Sequence, residues 1–389
     1  MRTLIAFDKF KDGITAREAC DAAATALLGL HPDWTLDRCP LTDGGEGFAD
    51  TLTTAAGGVF HSSTVRGPLD APVEARFGMV PLSGIPSAAR ALLEIPERGN
   101  NSDDRVAIVE MASASGLALL PHDLRNPWRT CSRGTGELML ASAALGARAI
   151  VLGVGGSATN DLGLGTLAEL GMRFRSASGN LVTDLAPAWW DHVTGIEGIV
   201  TPELPPIRVA CDVTNPLLGP SGCTAVFAPQ KGLPLRELPQ LEAAVARMSG
   251  MLCHHTGKPT SLRDVSGMGA AGGITFGLSC CAGATRLPGF DLVAAWLDLE
   301  RRIQNADIVI TGEGRFDETS LGGKGPGSVA LRALAAGKRV VVLAGQVEVS
   351  PRAGLGLYAI TPHGMTLREA LPKTREFLEA AVRRAFQTD

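Results

Sequence analysis

The sequence predicts an α/β fold with two domains: a doubly wound parallel sheet built from both chain ends, and a mixed α/β domain inserted between them. Three observations lead there. At 389 residues the chain is long for one hydrophobic core. Its first sixty and last ninety residues alternate short apolar strands with helices, which is the grammar of a parallel sheet. The middle has extended segments that helices separate only in part.

Thr3–Phe7 reads as the first strand. Thr15 and Glu18 then form a capping box for a helix to about Leu28. Leu36–Pro40 fits a second strand, the loop Asp43–Gly47 follows, and Glu46 to Ala56 has helical composition. Near the other end, Ala306–Thr311 is a strand that delivers the loop Gly312–Asp317. Gly327–Ala336 is a helix, and Arg339–Ala344 has the run of valines typical of a strand buried on both faces. Leu357–Thr361 adds a fifth strand and Thr374–Phe386 a closing helix. Between these ends, extended segments are expected at Val73–Val80, Ala91–Ile95, Val106–Met111, Ala149–Leu152, Ile207–Cys211 and Thr224–Phe227. The main helices there are Gly136–Leu145 and Leu235–Met251. Gly67-Pro68 and Pro288-Gly289 are candidate crossings, so the domains are drawn as 1–60 with 290–389, and 61–289.

Composition excludes several classes. Hydrophobic residues at 45% and charged residues at 20% suit a globular protein. The 47 glycines exceed the usual share of about 7% without any collagen-like period, as in an enzyme rich in glycine loops. A net charge of −4 argues against a nucleic-acid surface. No apolar stretch approaches the roughly 20 residues of a membrane span, and no signal peptide is evident. Cysteines at 20, 39, 131, 211, 223, 253, 280 and 281 form no C-x-x-C pair, so they read as buried thiols of a cytoplasmic protein. The expected partners are small molecules; a homodimer is left open.

The chemistry concentrates in loops at strand ends. Ala149-Ile150-Val151-Leu152 runs into Gly153-Val154-Gly155-Gly156-Ser157-Ala158-Thr159-Asn160-Asp161, where glycines admit a ligand and polar side chains follow at once. Asp43-Gly44-Gly45-Glu46-Gly47 and Gly312-Glu313-Gly314-Arg315-Phe316-Asp317 have the same character, which suggests one polar site assembled from distant segments. Asp8 and Lys11 follow the first strand, at the sheet edge where ligands sit in open α/β folds. Carboxylates crowded at one edge repel unless a metal or lysines offset them, which favours a Mg²⁺-plus-phosphate site. Lys324 can reach a phosphate, and Gly134-Thr135-Gly136-Glu137 opens a helix that can bind an anion. The P-loop, the dinucleotide fingerprint and G-x-S-x-G are all absent from the sequence, and Cys253-His254-His255 is no metal site because adjacent helix residues diverge.

Taken together, these segments resemble the type-1 glycerate kinases along essentially the whole chain. The resemblance is carried by Asp8-Lys9-Phe10-Lys11, Thr42-Asp43-Gly44-Gly45-Glu46-Gly47, Glu110-Met111-Ala112-Ser113-Ala114-Ser115-Gly116-Leu117 and Gly134-Thr135-Gly136-Glu137-Leu138. It continues through Gly155–Asp161, Ala210-Cys211-Asp212-Val213-Thr214-Asn215-Pro216-Leu217, Pro229-Gln230-Lys231-Gly232 and Thr311-Gly312-Glu313-Gly314-Arg315. It implies a flavodoxin-like domain made from both chain ends with a second α/β domain between them. It also implies phosphorylation of D-glycerate, most often at the 2-hydroxyl, with ATP and a divalent metal such as Mg²⁺, in a cleft between the domains. Asp212 or Asp43 is then expected nearest the substrate hydroxyl. Lys11, Lys231 and Lys324 are expected to contact phosphate or carboxylate. Asp8, Thr135, Ser157, Thr159, Asn160, Asn215 and Arg315 are further binding candidates, and Asp43, Glu313 and Asp317 are candidates for the metal. The chain departs from the family at Lys9, Asp12-Gly13, Arg133, Leu162 and Thr319. These changes bear on substrate choice rather than on kinase chemistry, and Arg133 is expected to contact an anionic ligand group. The alternatives are a kinase for another short sugar acid, and a non-catalytic regulator that binds a sugar acid or nucleotide.

Overall fold

The structure, a computed structural model, describes residues 1–95, 104–322 and 325–387. Lys324 lies outside the described residues. The chain divides into two compact units, Met1–Asp43 with Val293–Asp389, and Gly44–Leu292.

The first unit is built on a five-stranded parallel sheet. Its strands lie in the order Leu355–Ala359, Arg339–Ala344, Ile308–Gly312, Arg2–Phe7, Thr35–Arg38. Counted along the chain this order is 2-1-3-4-5, the flavodoxin-like arrangement. Its central strands are apolar throughout because both faces are covered: Val340 to Ala344 and Ile308 to Ile310 are all buried. The helix Ala16–Leu30 starts at the expected capping box, where Thr15 Oγ1 accepts the Glu18 N–H at 3.2 Å and Glu18 Oε2 accepts the Thr15 N–H at 2.8 Å. Its buried face is nearly all alanine, which lets the helix Thr374–Phe386 pack closely against it. Trp34 closes the end of that layer, stacked on His31 and edge-on to Phe386.

The second unit holds a six-stranded mixed sheet in the order Thr285–Leu287, Ile207–Ala210, Ala147–Gly153, Arg105–Glu110, Pro72–Pro81, Val59–Arg66. The first four strands are parallel, and the last two pair antiparallel as a hairpin beside them. Residues Val106 to Val109 and Ile150 to Leu152 are fully buried at the centre.

Three expectations are corrected. The segment 44–60, placed with the first domain by sequence, lies in the second unit. Phe48 and Leu52 are buried where the helix Phe48–Ala55 packs on the strands Pro72–Pro81 and Arg105–Glu110. Ala91–Ile95 is not extended, because Ala91 to Leu93 form the last turn of the helix Ser87–Leu93, which Glu94 ends with a left-handed φ of 45°. Thr224–Phe227 belongs to the short helix Cys223–Phe227, whose β-branched residues suggest a strand but which packs against the helices Leu238–Thr256 and Ala270–Cys281. Among the described residues no helix is long and apolar enough to cross a membrane.

Candidate active site

In each unit the strand ends bring chemically useful groups together. In the first unit, Phe7 and Gly312 are register partners at the ends of adjacent parallel strands. The Asp8 N–H donates to Gly312 O at 3.0 Å, so Asp8 and Glu313 leave on neighbouring loops at the point where the strand order reverses. Gly325, the first residue of the helix Gly325–Ala335, lies so close that a Cβ there would stand 3.7 Å from Asp8 Oδ2. Burial, then the charge of Asp43 and a smaller push from Glu313, raise the Asp8 carboxyl to about 7, against the Lys9 N–H and charge that lower it. Glu313 is also pushed up to about 7, mainly by burial, with Asp317 and Asp43 adding to it and a Ser320 hydrogen bond opposing it. Asp8, Asp43 and Glu313 therefore form one electrostatically coupled group.

Asp317 and Arg315 also have partners of their own. Asp317 Oδ1 accepts the Thr319 N–H at 2.9 Å, the Thr319 hydroxyl at 2.5 Å and the Ser320 N–H at 3.3 Å, which holds its carboxyl below the usual range. Arg315 pairs with Glu348 at 2.5 Å and with Asp317 at 3.4 Å. Asp317 thus braces its own turn, and Arg315 ties it to the strand Gln346–Glu348. Lys11 is exposed on the turn after Asp8. Among the described residues no three His, Cys, Asp or Glu side chains are arranged to hold a metal ion by themselves.

In the second unit the register aligns Glu110 with Gly153 and Gly153 with Ala210, so the loops after these parallel strands share one edge. The loop after Gly153 is fastened on three sides. Gly155 N–H donates to Gly44 O at 3.0 Å, Ala158 N–H to Ser115 O at 2.9 Å, and Leu162 N–H to Gly272 O at 3.0 Å. Only glycine fits at 155, where a Cβ would come 2.5 Å from the Gly45 Cα. Gly44 and Gly45 therefore lie against the loop 153–161.

Lys231 enters this loop from the short helical turn Pro229–Lys231. Its side chain is 2% exposed. Its Nζ donates to Ser157 Oγ at 2.9 Å and to Thr159 O at 2.6 Å. Both acceptors are neutral, so burial lowers the lysine to about 8, with the Cys223 and Asp161 charges opposing the drop. Thr159 Oγ1 and Asn160 Oδ1 are buried without a hydrogen-bond partner among the described residues. Asn160 Nδ2 reaches Thr224 Oγ1 at 3.4 Å. Asp161, between them and the helix Leu164–Glu169, is occupied: it accepts the Ser132 N–H and hydroxyl at 2.8 and 2.7 Å, and the Gly163 N–H at 3.2 Å.

Asp212 follows the strand Ile207–Ala210 on the same edge. It is half-buried, and its two oxygens accept the Phe290 N–H at 3.1 and 2.9 Å, at the start of the helix Gly289–Trp296. Asn215 Nδ2 donates to Ser221 O at 2.7 Å, and Thr135 Oγ1 pairs with Ser115 Oγ at 2.8 Å, so both serve loop geometry.

Arg133, expected to contact an anionic ligand group, has partners within the chain: Nη1 pairs with Glu169 at 2.6 Å, Nη2 donates to Thr183 O, and the side chain is 13% exposed. Replacing it by methionine is expected to leave both ligand KM values unchanged. Glu169 would keep only the exposed Arg66 at 3.5 Å, so the loss should cost about 1 kcal/mol, less than a fully buried pair would. A melting curve beside steady-state kinetics checks both halves.

Sequence reasoning missed one support. Ala271, Gly272 and Gly273 have successive left-handed φ values of 51°, 70° and 87°. A Cβ on Gly272 would lie 2.1 Å from Thr159 O, so this turn backs the Ser157–Asn160 segment directly. The signal was the Gly-Gly pair ahead of an apolar helix. Leu162, beside it, is fully buried with φ 56°, a left-handed conformation that glycine adopts at less cost.

Comparison with known proteins gives a consistent answer. The model of the glycerate kinase family matches residues 3–388. A glycerate kinase from Bacillus subtilis is 36% identical over 392 residues, covering 98% of this chain and 96% of the relative. A glycerate 2-kinase from Escherichia coli is 36% identical over 358 residues, covering 89% of this chain and 86% of the relative. The crystal structure of a protein described as glycerate kinase 2 from Salmonella typhimurium superimposes with a TM-score of 0.78 at 33% identity, over 100% of this chain and 98% of that one.

Proposed function

The chain belongs to the glycerate kinase family, and from that premise we propose that it transfers the terminal phosphoryl group of ATP to the 2-hydroxyl of D-glycerate. The observation that carries the reading is Lys231. A buried ammonium with neutral partners is costly unless an anion completes it. Two of its three donors are used, by Ser157 and by Thr159 O, which leaves one for a substrate carboxylate or phosphate. Ser157, Thr159 and Asn160 orient the acceptor. Asp212 takes the hydroxyl proton as the oxygen attacks phosphorus.

The acids of the first unit suit Mg²⁺, which takes one or two carboxylates and fills its remaining positions with phosphate oxygens and water. Asp8, Asp43 and Glu313 would supply one or two of its ligands, and Asp317, engaged by its own loop, would not. Bound there, the ion would neutralise phosphate charge.

ADP release with D-glycerate and Mg²⁺, followed by proton-coupled ³¹P NMR of the product, tests this reading. A doublet is expected, because a 2-phosphate sees one vicinal proton. A triplet would move the reaction to the 3-hydroxyl, and ATP consumption that ignores the acceptor would remove the kinase reading.

The acid group also predicts how stability depends on pH. Asp8 and Glu313 titrate near 7 when folded and near 3.8 and 4.5 when unfolded. Between those values the folded chain binds more protons, so stability is highest below about pH 4 for these groups and is lost as pH rises through about 7. After allowance for solvent screening the loss is about 2 kcal/mol, or about 2 °C of melting temperature. Millimolar Mg²⁺ is expected to restore those degrees at pH 8, and Asp8→Asn to flatten the dependence. A melting temperature that ignores both pH and Mg²⁺ contradicts the assignment.

A further inference from the structure

Asp161 ends the loop that carries Ser157, Thr159 and Asn160, and its oxygens are already engaged by neutral donors. Oδ2 accepts the Ser132 N–H at 2.8 Å, the Ser132 hydroxyl at 2.7 Å and the Gly165 N–H at 3.4 Å, and Oδ1 accepts the Gly163 N–H at 3.2 Å. The Thr166 N–H donates to Ser132 Oγ at 3.2 Å and its hydroxyl to Ser132 O at 2.8 Å. Thr130 donates its hydroxyl to Ala158 O at 3.0 Å. Thr130, Ser132, Asp161 and Thr166 are all fully buried. The segment 130–132 therefore grips the loop at Ala158 and again at Asp161. Between those points lies Thr159, whose carbonyl accepts the Lys231 ammonium at 2.6 Å, and just before them lies Ser157, the other acceptor.

An amide would serve this network poorly. With its oxygen on the side of the three Oδ2 donors, an asparagine would turn its NH₂ toward the Gly163 N–H, donor against donor. It would also lack the charge. The Cys223 thiol faces Lys231 from the helix Cys223–Phe227, but burial pushes it up to about 11, so it is neutral where the enzyme works. Asp161 acts on the ammonium in the direction that keeps its proton. Of the other charged groups nearby, Glu242 acts on Cys223 and accepts the Gly219 N–H at 2.7 Å, and Arg133 is paired with Glu169. Glu46 lies against Gly156, where a Cβ would stand 3.9 Å from its Oε1. Cys131, raised by burial and then by Asp161, is a neutral thiol too.

From this hydrogen-bond geometry we propose that Asp161 is a positioning residue for phosphoryl transfer: it fastens the end of the segment on which Lys231 rests, and it supplies the negative charge that the buried ammonium lacks among its direct partners. The inference rests on the reading of Lys231 as the group that holds the substrate anion. Lys231 touches the ligand, and Asp161 acts through Lys231 and the residues 157–160.

The test follows the full chain, its lysines labelled with ¹³C at the ε-carbon, by NMR across pH, beside kcat/KM for glycerate. The signal that Lys231→Met removes is that of Lys231. In the native chain its midpoint is expected at about 8, and kcat/KM falls with the same midpoint. In Asp161→Asn both move to lower pH by about half a unit to one unit. In a Lys231→Arg background the guanidinium stays charged, so Asp161→Asn moves no limb there. Ser132→Ala keeps the carboxylate and removes one of its donors. It should leave the midpoint in place while kcat/KM falls by about fivefold, the equivalent of one hydrogen bond, and it carries the test should Asp161→Asn not fold. An ε-carbon midpoint that Asp161→Asn leaves unmoved, or an unchanged kcat/KM in Ser132→Ala, overturns the proposal while the Lys231 reading stands. A native activity limb that does not track the Lys231 midpoint overturns the Lys231 reading, and this proposal with it.

Discussion

Asp212→Asn is expected to lower kcat for glycerate phosphorylation by about 10²–10⁴-fold, the usual cost of losing a general base. The substitution is informative because the aspartate has two separable duties. Its oxygens accept the Phe290 N–H at the start of the helix Gly289–Trp296, and its charge can take a proton. Asparagine keeps an acceptor for Phe290 but removes the basicity. The weaker hydrogen bond should cost about 1 kcal/mol, or about 1 °C of melting temperature in a chain of this size. Asp212→Ala removes both duties and should lose the activity and melt lower still. If Asp212→Asn keeps kcat within about threefold while Asp212→Ala melts lower, Asp212 only anchors the helix. Asp43 would then be the next carboxylate to test.

How far the sequence could be read depended on where the information lay. The three central strands of the first unit, Arg2–Phe7, Ile308–Gly312 and Arg339–Ala344, were legible because they are buried on both faces and so are written as apolar runs, whereas the edge strands Thr35–Arg38 and Leu355–Ala359 are half-exposed and were placed by their position between helices. The capping box at Thr15 and Glu18 was legible because it is wholly local. Membership was harder to read. The helix Phe48–Ala55 has the composition expected of it, but only its packing on the strands Pro72–Pro81 and Arg105–Glu110 shows which unit it serves. In the same way, Thr224 and Val226 carry β propensity that tertiary contacts override. The site residues divide along this line too. Ser157, Thr159 and Asp212 stand in strand-end loops, and the register draws the loops after Gly153 and Ala210 to one edge, while Lys231 comes from the helical turn Pro229–Lys231. Arg133 and Asp317 look equally suitable in sequence. Their partners, Glu169 for one and the Thr319–Ser320 backbone for the other, become visible only in three dimensions.

Lys231→Met is expected to lower kcat/KM for glycerate by about 10²–10³-fold, the size of effect seen when one charge-stabilising donor is removed from a dry site. Methionine matches the lysine stem in length and is at home in a core. It removes an ammonium that is buried with only neutral partners, which relieves a desolvation cost, and it leaves Ser157 Oγ and Thr159 O each short of one donor. These changes oppose each other, so the melting temperature should move little at pH 7. Titration gives a second, independent readout. The lysine holds its proton to about 8 when folded and to about 10.5 when unfolded. Across that window the unfolded chain binds more protons, so this group makes stability rise with pH, and Lys231→Met should remove the rise. Activity should run the other way. The kcat/KM of the native enzyme should fall above pH about 8 as the free enzyme loses this charge. Lys231→Arg, whose guanidinium stays charged, should lose that limb even if its bulk lowers the plateau. If instead Lys231→Met retains kcat/KM within about threefold and the native alkaline limb survives in it, the lysine only packs the 157–159 loop, and the anion is held by another group.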